Sequence, residues 1–318
     1  MTKRAVFFPG QGAHSVGMGK SLYDNYESVR KLYEQAEDLV DFDLKRLSFE
    51  GPEEELRRTD VSQPAIVVAS LAALTALKEE LGSQEIPGVV VTCGMSLGEY
   101  TALAYAEVLS LGDVLRLVAL RGRLMQECCE ASESGMMTSL GLGVEAVETA
   151  IVASGQSDKV GVANDNSPNQ VVLSGESAAL EIASAKVKEA GARRLLPLKV
   201  AGAYHSRLMA PAGEKLKLEL ETVTFQEPKL TVLANIDAEP YTVATAKDKL
   251  VQQVSSTVRW RESMATLKSF EVESALELGP GGVLKGLMKK NDRAITCLSA
   301  ATVEDVKAAA QSWTNQEA

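Results

Sequence analysis

The hydrophobic positions of the chain alternate between short continuous runs and longer stretches in which apolar residues recur every three or four positions. Residues 5–8 form a short apolar run that ends at Pro-Gly, and residues 88–93 form a second run rich in β-branched side chains. Short runs bounded by turn residues predict buried strands. The three- and four-residue spacing in 23–39, 61–81 and 111–129 predicts helices, of which the second is apolar enough to be buried on most sides.

The pattern changes between about residues 131 and 200, where short strands and two helices follow one another. The predicted strands are 137–142, 160–163, 170–173 and 194–200, and the predicted helices are 144–154 and 177–190. This β-α-β-β-α-β order is the split arrangement of a ferredoxin-like unit. The cluster Asn164-Asp165-Asn166-Ser167-Pro168-Asn169 between the two middle strands is rich in turn-forming residues, so we expect a loop there.

Beyond residue 200 the alternation of strands and helices resumes. The predicted strands lie near 230–234, 274–278 and 295–299, and the predicted helices near 247–254, 261–269, 283–290 and 303–313. We therefore predict an α/β fold in which a large α/β-hydrolase-like domain with a parallel sheet carries an inserted ferredoxin-like subdomain. The large domain takes residues 1–130 and 201–318, and the subdomain takes 131–200.

Composition and charge narrow the class of protein. The 318 residues are 45% hydrophobic and 24% charged, which is typical of a globular protein and excludes disordered chains and small disulfide scaffolds. The net charge of −10 argues against sequence-independent binding to nucleic acid or to anionic lipid. The longest apolar run, 65–77, is shorter than the roughly 20 residues of a membrane span, so we expect no spanning segment.

The N-terminal residues and the cysteines bear on localisation. No run long enough for the hydrophobic region of an export signal is present near the N-terminus. The four cysteines show no C-x-x-C spacing, and the adjacent Cys128 and Cys129 are poorly placed to bridge each other. We expect a reduced, cytoplasmic protein.

The segment Gly94-Met95-Ser96-Leu97-Gly98 fits the pattern Gly-x-Ser-x-Gly between a predicted strand and a predicted helix at 97–106. In this context the pattern is typical of a nucleophile elbow, in which a sharp turn exposes a serine hydroxyl at a helix N-terminus. The backbone N–H groups there can stabilise a developing oxyanion. The alternative is a chance Gly/Ser turn, and the strand–turn–helix context favours the nucleophile.

A serine nucleophile needs a base, and the chain offers only two histidines. His14 lies in the first glycine-rich loop. His205 follows Gly202-Ala203-Tyr204 at the predicted domain junction, where clefts tend to form. Although a lone histidine is more often structural, we favour His205 as the base of Ser96.

Five segments then point to one family. Gly10-Gln11-Gly12, the elbow continued by Glu99-Tyr100, Arg121-Gly122-Arg123-Leu124-Met125-Gln126, Gly202-Ala203-Tyr204-His205-Ser206 and Gly279-Pro280-Gly281 occur in one order. Together they resemble the malonyl-CoA:acyl carrier protein transacylases of fatty acid synthesis, over about residues 4–290.

The resemblance implies a role for several residues. Ser96 would attack the malonyl thioester and His205 would move its proton, while the backbone N–H groups of Gln11 and Leu97 would form the oxyanion hole. The family position matched by Gln253 orients the histidine through its backbone carbonyl, so that no acidic third member is required; Asp237 is the residue that a hydrolase-type triad would suggest instead.

Arg121 would bind the free carboxylate of malonate. Such a carboxylate in a partly dry pocket calls for a charged bidentate donor, which a guanidinium supplies better than an ammonium. From the residues alone, Arg121 and Arg123 also fit the solvated face of a helix. The resemblance further places Met125, Tyr204 and Asn166 in the substrate pocket, with Asn164 as a second cleft residue of the subdomain.

Two positions depart from the family. Met95 stands beside the serine where the family usually has histidine, and Tyr204 replaces the usual phenylalanine before the catalytic histidine. An aromatic ring at 204 still fits a pocket that excludes α-branched acyl groups, but its added hydroxyl can change the choice between malonyl and methylmalonyl groups.

We expect no cofactor and no metal. Two distant histidines and unpaired cysteines make a zinc site improbable, and the first glycine-rich loop lacks both common nucleotide-binding patterns. The substrates would be malonyl-CoA and phosphopantetheinylated acyl carrier protein, and we expect a monomer. Because such carrier proteins are acidic and this chain is too, docking would need local cations. The candidates are Arg193, Arg194, Lys199, Lys285, Lys289 and Lys290.

Three other functions share parts of this pattern. A serine esterase or thioesterase would use the same elbow, normally with an acidic triad member. An acyltransferase of a polyketide pathway would use the same chemistry with a different carrier protein. A catalytically inactive module that binds carrier protein would keep the fold, but the presence of Ser96, His205 and Arg121 together argues against it.

Overall fold

The computed structural model describes residues 2–315, which form two sheets with helices packed against them. The strands of the described part are β1 (Arg4–Phe8), β2 (Val89–Gly94), β3 (Ser134–Leu140), β4 (Val160–Ser167), β5 (Gln170–Glu176), β6 (Arg194–Pro197), β7 (Thr231–Val232), β8 (Ser274–Leu278) and β9 (Thr296–Ala300). The helices up to β6 are α1 (Lys20–Asn25), α2 (Glu27–Glu37), α3 (Leu44–Glu50), α4 (Glu53–Leu56), α5 (Thr59–Leu81), α6 (Gly98–Tyr105), α7 (Leu111–Glu130), α8 (Val144–Ala153) and α9 (Ser177–Glu189). After β6 follow α10 (Ala210–Leu220), α11 (Val243–Gln253), α12 (Trp260–Thr266), α13 (Val283–Asn291) and α14 (Val303–Asn315), with short 3₁₀ turns at Arg207–Met209 and Leu267–Phe270.

The larger sheet is parallel and has the strand order β7-β2-β1-β8-β9. Every residue of β1 and β8 is buried, as expected for strands covered by helices on both faces. Because the strands are parallel, the loops that follow β1, β2 and β8 emerge at the same edge. These loops are the first glycine-rich loop, the elbow and the loop 279–282. In open α/β sheets this edge, where the strand order reverses beside the first strand, is the usual place for a ligand.

Helix α5 is the central helix of the large domain. By length and composition it could cross a membrane, but 89% of its most apolar window is buried inside the protein. It packs against α7, α2 and α14. Its apolar composition is therefore explained by the core that it fills.

The smaller sheet is antiparallel and has the order β4-β5-β3-β6. With α8 and α9 packed against it, this is the ferredoxin-like arrangement, and the predicted fold class is confirmed. The predicted loop at 164–169 is wrong in most of its length. Residues 164–167 continue β4, where Asn164 lies opposite Val172 and Asp165 opposite Val171.

Tertiary contacts account for that difference. The Asp165 carboxylate pairs with Arg261 at 2.7 Å, and the Asp165 N–H donates to the Val258 carbonyl at 3.0 Å. The Val258 N–H donates to the Ala163 carbonyl at 2.8 Å, which makes β4 the partner of a large-domain segment as well as of β5. These bonds stabilise an extended backbone in residues that otherwise favour turns.

Other elements also differ from prediction. The helix predicted over 23–39 is two helices, because Tyr26 adopts an extended backbone conformation between α1 and α2. Helices α3, α4 and α10 were not predicted, and β7 is only two residues long. The first four residues of α10 include both a proline and a glycine, which weaken the helical pattern in the sequence.

Candidate active site

The turn between β2 and α6 is tight enough to require its glycines. A Cβ atom on Gly94 would lie 2.0 Å from the Gly98 carbonyl, and one on Gly98 would lie 2.1 Å from the Phe8 carbonyl oxygen. Between them Ser96 has a positive φ of 52°, which is uncommon for a residue other than glycine. The elbow therefore presses against the end of β1 and turns the serine away from the strand, as the Gly-x-Ser-x-Gly pattern predicts.

The Ser96 hydroxyl lies against the His205 imidazole, with 2.7 Å between Oγ and Nε2. On the other side of the ring, Nδ1 lies 2.9 Å from the Gln253 carbonyl and 3.1 Å from the Ser256 carbonyl. Because carbonyl oxygens only accept, Nδ1 carries the proton and Nε2 is left as the acceptor for the serine hydroxyl. Two backbone carbonyls thus set the tautomer that a general base needs.

The imidazole is held in its neutral form. Burial and, to a smaller extent, the Arg121 charge lower the pKa of His205 to about 4, although the two carbonyl contacts oppose the shift. Since the pKa lies well below 7, the base is unprotonated and available at neutral pH. Asp237 lies near the same ring but pairs with Lys249 at 2.9 Å, and within residues 2–315 the imidazole bonds to Ser96 and to two backbone carbonyls and to no carboxylate.

Arg121 extends from α7 into the same centre. It is only 1% exposed, which rules out the alternative of a solvated helix face, whereas Arg123 on the same helix is exposed. Its Nη2 atom donates to Ser96 Oγ at 3.0 Å and to Gln253 Oε1 at 3.0 Å, and Nη1 donates to Gln63 Oε1 at 2.9 Å. Among the described residues its buried Nε has no partner, and Nη1 uses one of its two N–H groups, so the guanidinium has unused donors beside the nucleophile.

The predicted oxyanion-hole residues flank the nucleophile. Leu97 follows Ser96 at the N-terminus of α6, and Gln11 lies in the loop after β1. That loop packs directly on the elbow, because a Cβ on Gly10 would lie 2.5 Å from the Met95 carbonyl oxygen. Within residues 2–315 the N–H groups of Gln11 and Leu97 have no acceptor in the protein. Both can therefore donate to an oxyanion.

Ser96 and His205 open onto a cleft of about 800 Å³ between the two sheets. Met125, Tyr204, Asn164 and Asn166 line it, as does Gln11. The Tyr204 hydroxyl lies 3.0 Å from Thr59 Oγ1 and accepts from Gln11 Nε2 at 3.3 Å. The hydroxyl that distinguishes this chain from the usual phenylalanine is thus fixed in the cleft wall beside the first glycine-rich loop.

The remaining predicted positions lie as follows. Met95 and His14 line the cleft, and Met95 has no polar group to offer. Of the six candidate docking cations, Lys199 lines the cleft and Lys290 donates to Gln170, which also lines it. The other four are exposed outside the lining.

Sequence reasoning missed several polar residues that hold this centre. Gln63 and Ser256 contact Arg121 and His205, and Asn235 accepts the Ser96 N–H at 2.6 Å. Glu99 is fully buried below the elbow. The only signal in the sequence was its position directly after Gly98. That signal is easily missed, since an acidic residue in the first turn of a helix is also expected there as a favourable charge at the helix N-terminus.

Within the part of the chain that the structure describes, no group of three or more His, Cys, Asp or Glu side chains is placed to hold a metal ion. All four cysteines are free thiols. The chemistry that this centre can perform is acyl transfer through a serine ester, with a neutral imidazole as base and a buried guanidinium beside the nucleophile.

Comparison with known proteins gives a consistent result. The Acyl transferase domain family matches residues 6–310. The malonyl CoA-acyl carrier protein transacylase of Haemophilus influenzae is 41% identical over 307 residues, which cover 96% of each chain. That of Bacillus subtilis is 38% identical over 98% of this chain and 97% of its own length.

Solved structures agree with the sequences. The acyl carrier protein S-malonyltransferase of Vibrio cholerae superposes with a TM-score of 0.92 at 37% identity, over 97% of this chain and all of that chain. A malonyl-transacylase solved in complex with a type II polyketide synthase acyl carrier protein gives a TM-score of 0.92 at 35% identity, over 98% of this chain and all of that one.

Proposed function

We propose that this chain moves a malonyl group from malonyl-CoA to the phosphopantetheine thiol of an acyl carrier protein. It belongs to the acyl transferase family and, within that family, to the malonyl CoA-acyl carrier protein transacylases. The transfer proceeds in two halves through a malonyl ester of Ser96. The reaction supplies malonyl groups to fatty acid synthesis.

In the first half, Ser96 Oγ attacks the thioester carbonyl while its proton passes to His205 Nε2. The new C–O bond gives a tetrahedral intermediate, whose collapse breaks the C–S bond. The proton on Nε2 then goes to the departing CoA sulfur. In the second half the carrier-protein thiol gives its proton to Nε2 and attacks the ester, and Ser96 recovers the proton as its C–O bond breaks.

Each tetrahedral intermediate carries a negative oxygen that needs donors. We assign this role to the N–H groups of Gln11 and Leu97, which are free in the protein and flank the nucleophile. Losing one such donor typically costs about 3–4 kcal/mol of barrier. Arg121 binds the free carboxylate of the malonyl group and, through Nη2, also stabilises the serine oxygen.

One observation carries this assignment. Ser96 Oγ lies 2.7 Å from the imidazole of His205 and 3.0 Å from the guanidinium of Arg121. A hydrolase needs the first contact but has no use for a buried cation beside its nucleophile. An enzyme that selects an acyl group ending in a carboxylate needs both.

The wider assignments follow from the same chemistry. We propose that no cofactor takes part, because the two protons and the acyl group are handled by side chains of this chain. We assign residues 131–200 to the subdomain that closes one wall of the cleft, and residues 1–130 and 201–318 to the catalytic domain. The enzyme acts as a cytoplasmic monomer that binds neither nucleic acid nor membrane.

Docking of an acidic carrier protein has to overcome the net charge of −10. We propose that Lys199 and Lys290 are the first contacts, since one lines the cleft and the other bonds to a lining residue. Reversing both charges to glutamate should raise the KM for carrier protein and leave the KM for malonyl-CoA unchanged. If the variant and the wild type have the same KM for carrier protein, these residues are not part of the docking surface.

The function is tested by mass spectrometry of the intact protein after brief incubation with malonyl-, acetyl- or methylmalonyl-CoA. A malonyl adduct that is stable in water and discharged by phosphopantetheinylated carrier protein supports the transferase. Rapid hydrolysis of the adduct supports an esterase, and an unmodified wild-type protein refutes the assignment. The Ser96→Ala variant is the control, since it should stay unmodified.

A further inference from the structure

We infer that Glu99 and Asn235 are positioning residues. Together they fix the position of the Ser96 elbow relative to residues 253–259, the segment whose carbonyls orient His205. Both lie outside the direct path of the acyl group. The inference deepens the proposed function and rests on it for the substrate alone, because the geometry concerns Ser96 as a nucleophile whatever it attacks.

The Asn235 side chain brackets the strained turn. Its Oδ1 accepts the Ser96 N–H at 2.6 Å, and its Nδ2 donates to the Gly94 carbonyl at 2.8 Å. A single planar amide therefore satisfies a donor on one side of Met95 and an acceptor on the other. Because Ser96 has a φ of 52°, these two bonds stabilise a backbone conformation that the residue itself disfavours.

Glu99 fixes Asn235 and Gln253 at the same time. One carboxylate oxygen accepts the Asn235 N–H at 3.2 Å and the Tyr241 hydroxyl, and the other accepts Gln253 Nε2. Gln253 Nε2 also donates to the Ser96 carbonyl at 2.8 Å. The carboxylate is fully buried, so each of these bonds is made without competition from water.

The network connects the reacting groups. The Gln253 carbonyl orients His205, and its side-chain oxygen accepts from Arg121 Nη2. Asn235 in turn accepts the Arg259 N–H at 2.8 Å, at the far end of the same segment. The Glu99 carboxylate thus joins the elbow to segment 253–259. This segment carries both carbonyls that bond His205 Nδ1 and the side-chain oxygen that accepts from Arg121.

The network needs the ionised form of Glu99, because all three partners donate to it. Burial raises the pKa of Glu99 to about 7, opposed by the bonds from Tyr241, Gln253 and Asn235 and by the positive charge of Arg121. The other titratable groups that face it are Tyr100 and the Cys93 thiol on β2. A raised pKa means that ionisation, and with it the network, is gained as pH rises through about 7.

Glu99→Gln tests the inference. The glutamine amide has an N–H group where the carboxylate had an accepting oxygen, so one of the donors that bond to Glu99 would face another donor. The rate of Ser96 modification is measured from about pH 5 to about pH 9 with two reagents, malonyl-CoA and a fluorophosphonate that reacts with activated serines. In the wild type we expect the rate to rise through about pH 7. The variant should react about 10- to 100-fold more slowly at high pH, and should lack this rise.

Two further variants separate positioning from loss of fold. Asn235→Ala should slow the reaction by a similar factor yet keep the rise near pH 7, since Glu99 remains. Tyr241→Phe removes one donor to the carboxylate and should shift the rise to higher pH, because that bond favours the charged form. Exposed Glu148→Gln on α8 is the control, and circular dichroism and thermal unfolding check that each variant is folded.

The outcomes are distinct. A Glu99→Gln variant that reacts like wild type, or that keeps the rise near pH 7, overturns the inference. Should that variant fail to fold, an unmoved pH midpoint in Tyr241→Phe overturns it instead. If wild type reacts with the fluorophosphonate but not with malonyl-CoA, the proposed function fails while the fluorophosphonate rates still decide the role of Glu99 and Asn235.

Discussion

Replacing Arg121 by alanine should separate recognition of malonate from the chemistry of acyl transfer. The guanidinium is buried and donates to Ser96 Oγ, Gln63 and Gln253, with Nε still free. A malonyl carboxylate would face this cation, whereas an acetyl group has nothing to bind it. The variant therefore should lose far more activity with malonyl-CoA than with acetyl-CoA.

The size of the effect follows from the bonds involved. Each hydrogen bond to a charged group contributes about 1.5–3 kcal/mol, so two of them to the carboxylate are worth about 3–6 kcal/mol. At 1.4 kcal/mol per factor of ten, kcat/KM for malonyl-CoA should fall about 10²- to 10⁴-fold. Acetyl transfer loses only the bond to Ser96 Oγ, about 1.5–3 kcal/mol by the same measure, and should fall about 10- to 100-fold; malonyl transfer carries this loss in addition to that of the carboxylate bonds.

The assay is single-turnover acylation of Ser96 by each thioester, followed by rapid quenching and mass spectrometry. Arg123→Ala is a matched control, because that residue lies two positions away on α7 with its side chain exposed. It should acylate like the wild type with both substrates. Equal losses for malonyl and acetyl groups in Arg121→Ala would mean that the arginine only supports the fold, and the reasoning about the carboxylate would be refuted.

Three further predictions concern the elbow, the cleft wall and the base. Gly98→Ala should abolish acylation and lower the Tm sharply, because its Cβ meets backbone 2.1 Å away, whereas Gly286→Ala has open space and should stabilise α13 by about 0.5–1 kcal/mol in thermal unfolding. Tyr204→Phe removes a hydroxyl from the cleft wall and should raise methylmalonyl transfer relative to malonyl transfer in competition assays. Since the pKa of His205 is lowered to about 4, the acylation that remains below the Glu99 transition near pH 7 should be lost only as pH falls through about 4. In Glu99→Gln, which lacks that transition, a loss centred near pH 6.5 would contradict the burial of the imidazole.

Local patterns in the sequence were enough for much of the fold. The Gly-x-Ser-x-Gly elbow was predicted correctly because its requirement is local, namely two glycines where backbone segments meet. The order of elements in the smaller sheet also followed from short apolar runs and helical spacing. The prediction for residues 164–167 was wrong because their extended conformation depends on Val258 and Arg261. These residues are almost 100 positions away, so local propensity does not report their effect.

The site divides in the same way. Ser96 stood out by its motif and His205 by the scarcity of histidine, whereas a role for Arg121 depended on family resemblance, since charge on a helix more often marks a solvated face. Asn235 and Glu99 have ordinary surroundings in the sequence. Their importance arises from a buried hydrogen-bond network that only the packing of α6 against the segment after β7 creates.

The central claim is that Ser96, His205 and Arg121 form one centre that binds a malonyl group and transfers it. The most direct measurement is a crystal structure of the enzyme trapped after reaction with malonyl-CoA. We predict an ester on Ser96 Oγ, with the ester carbonyl oxygen at the Gln11 and Leu97 N–H groups and the free carboxylate on the Arg121 guanidinium. A malonyl group attached to another residue, or a carboxylate directed away from Arg121, would contradict the account.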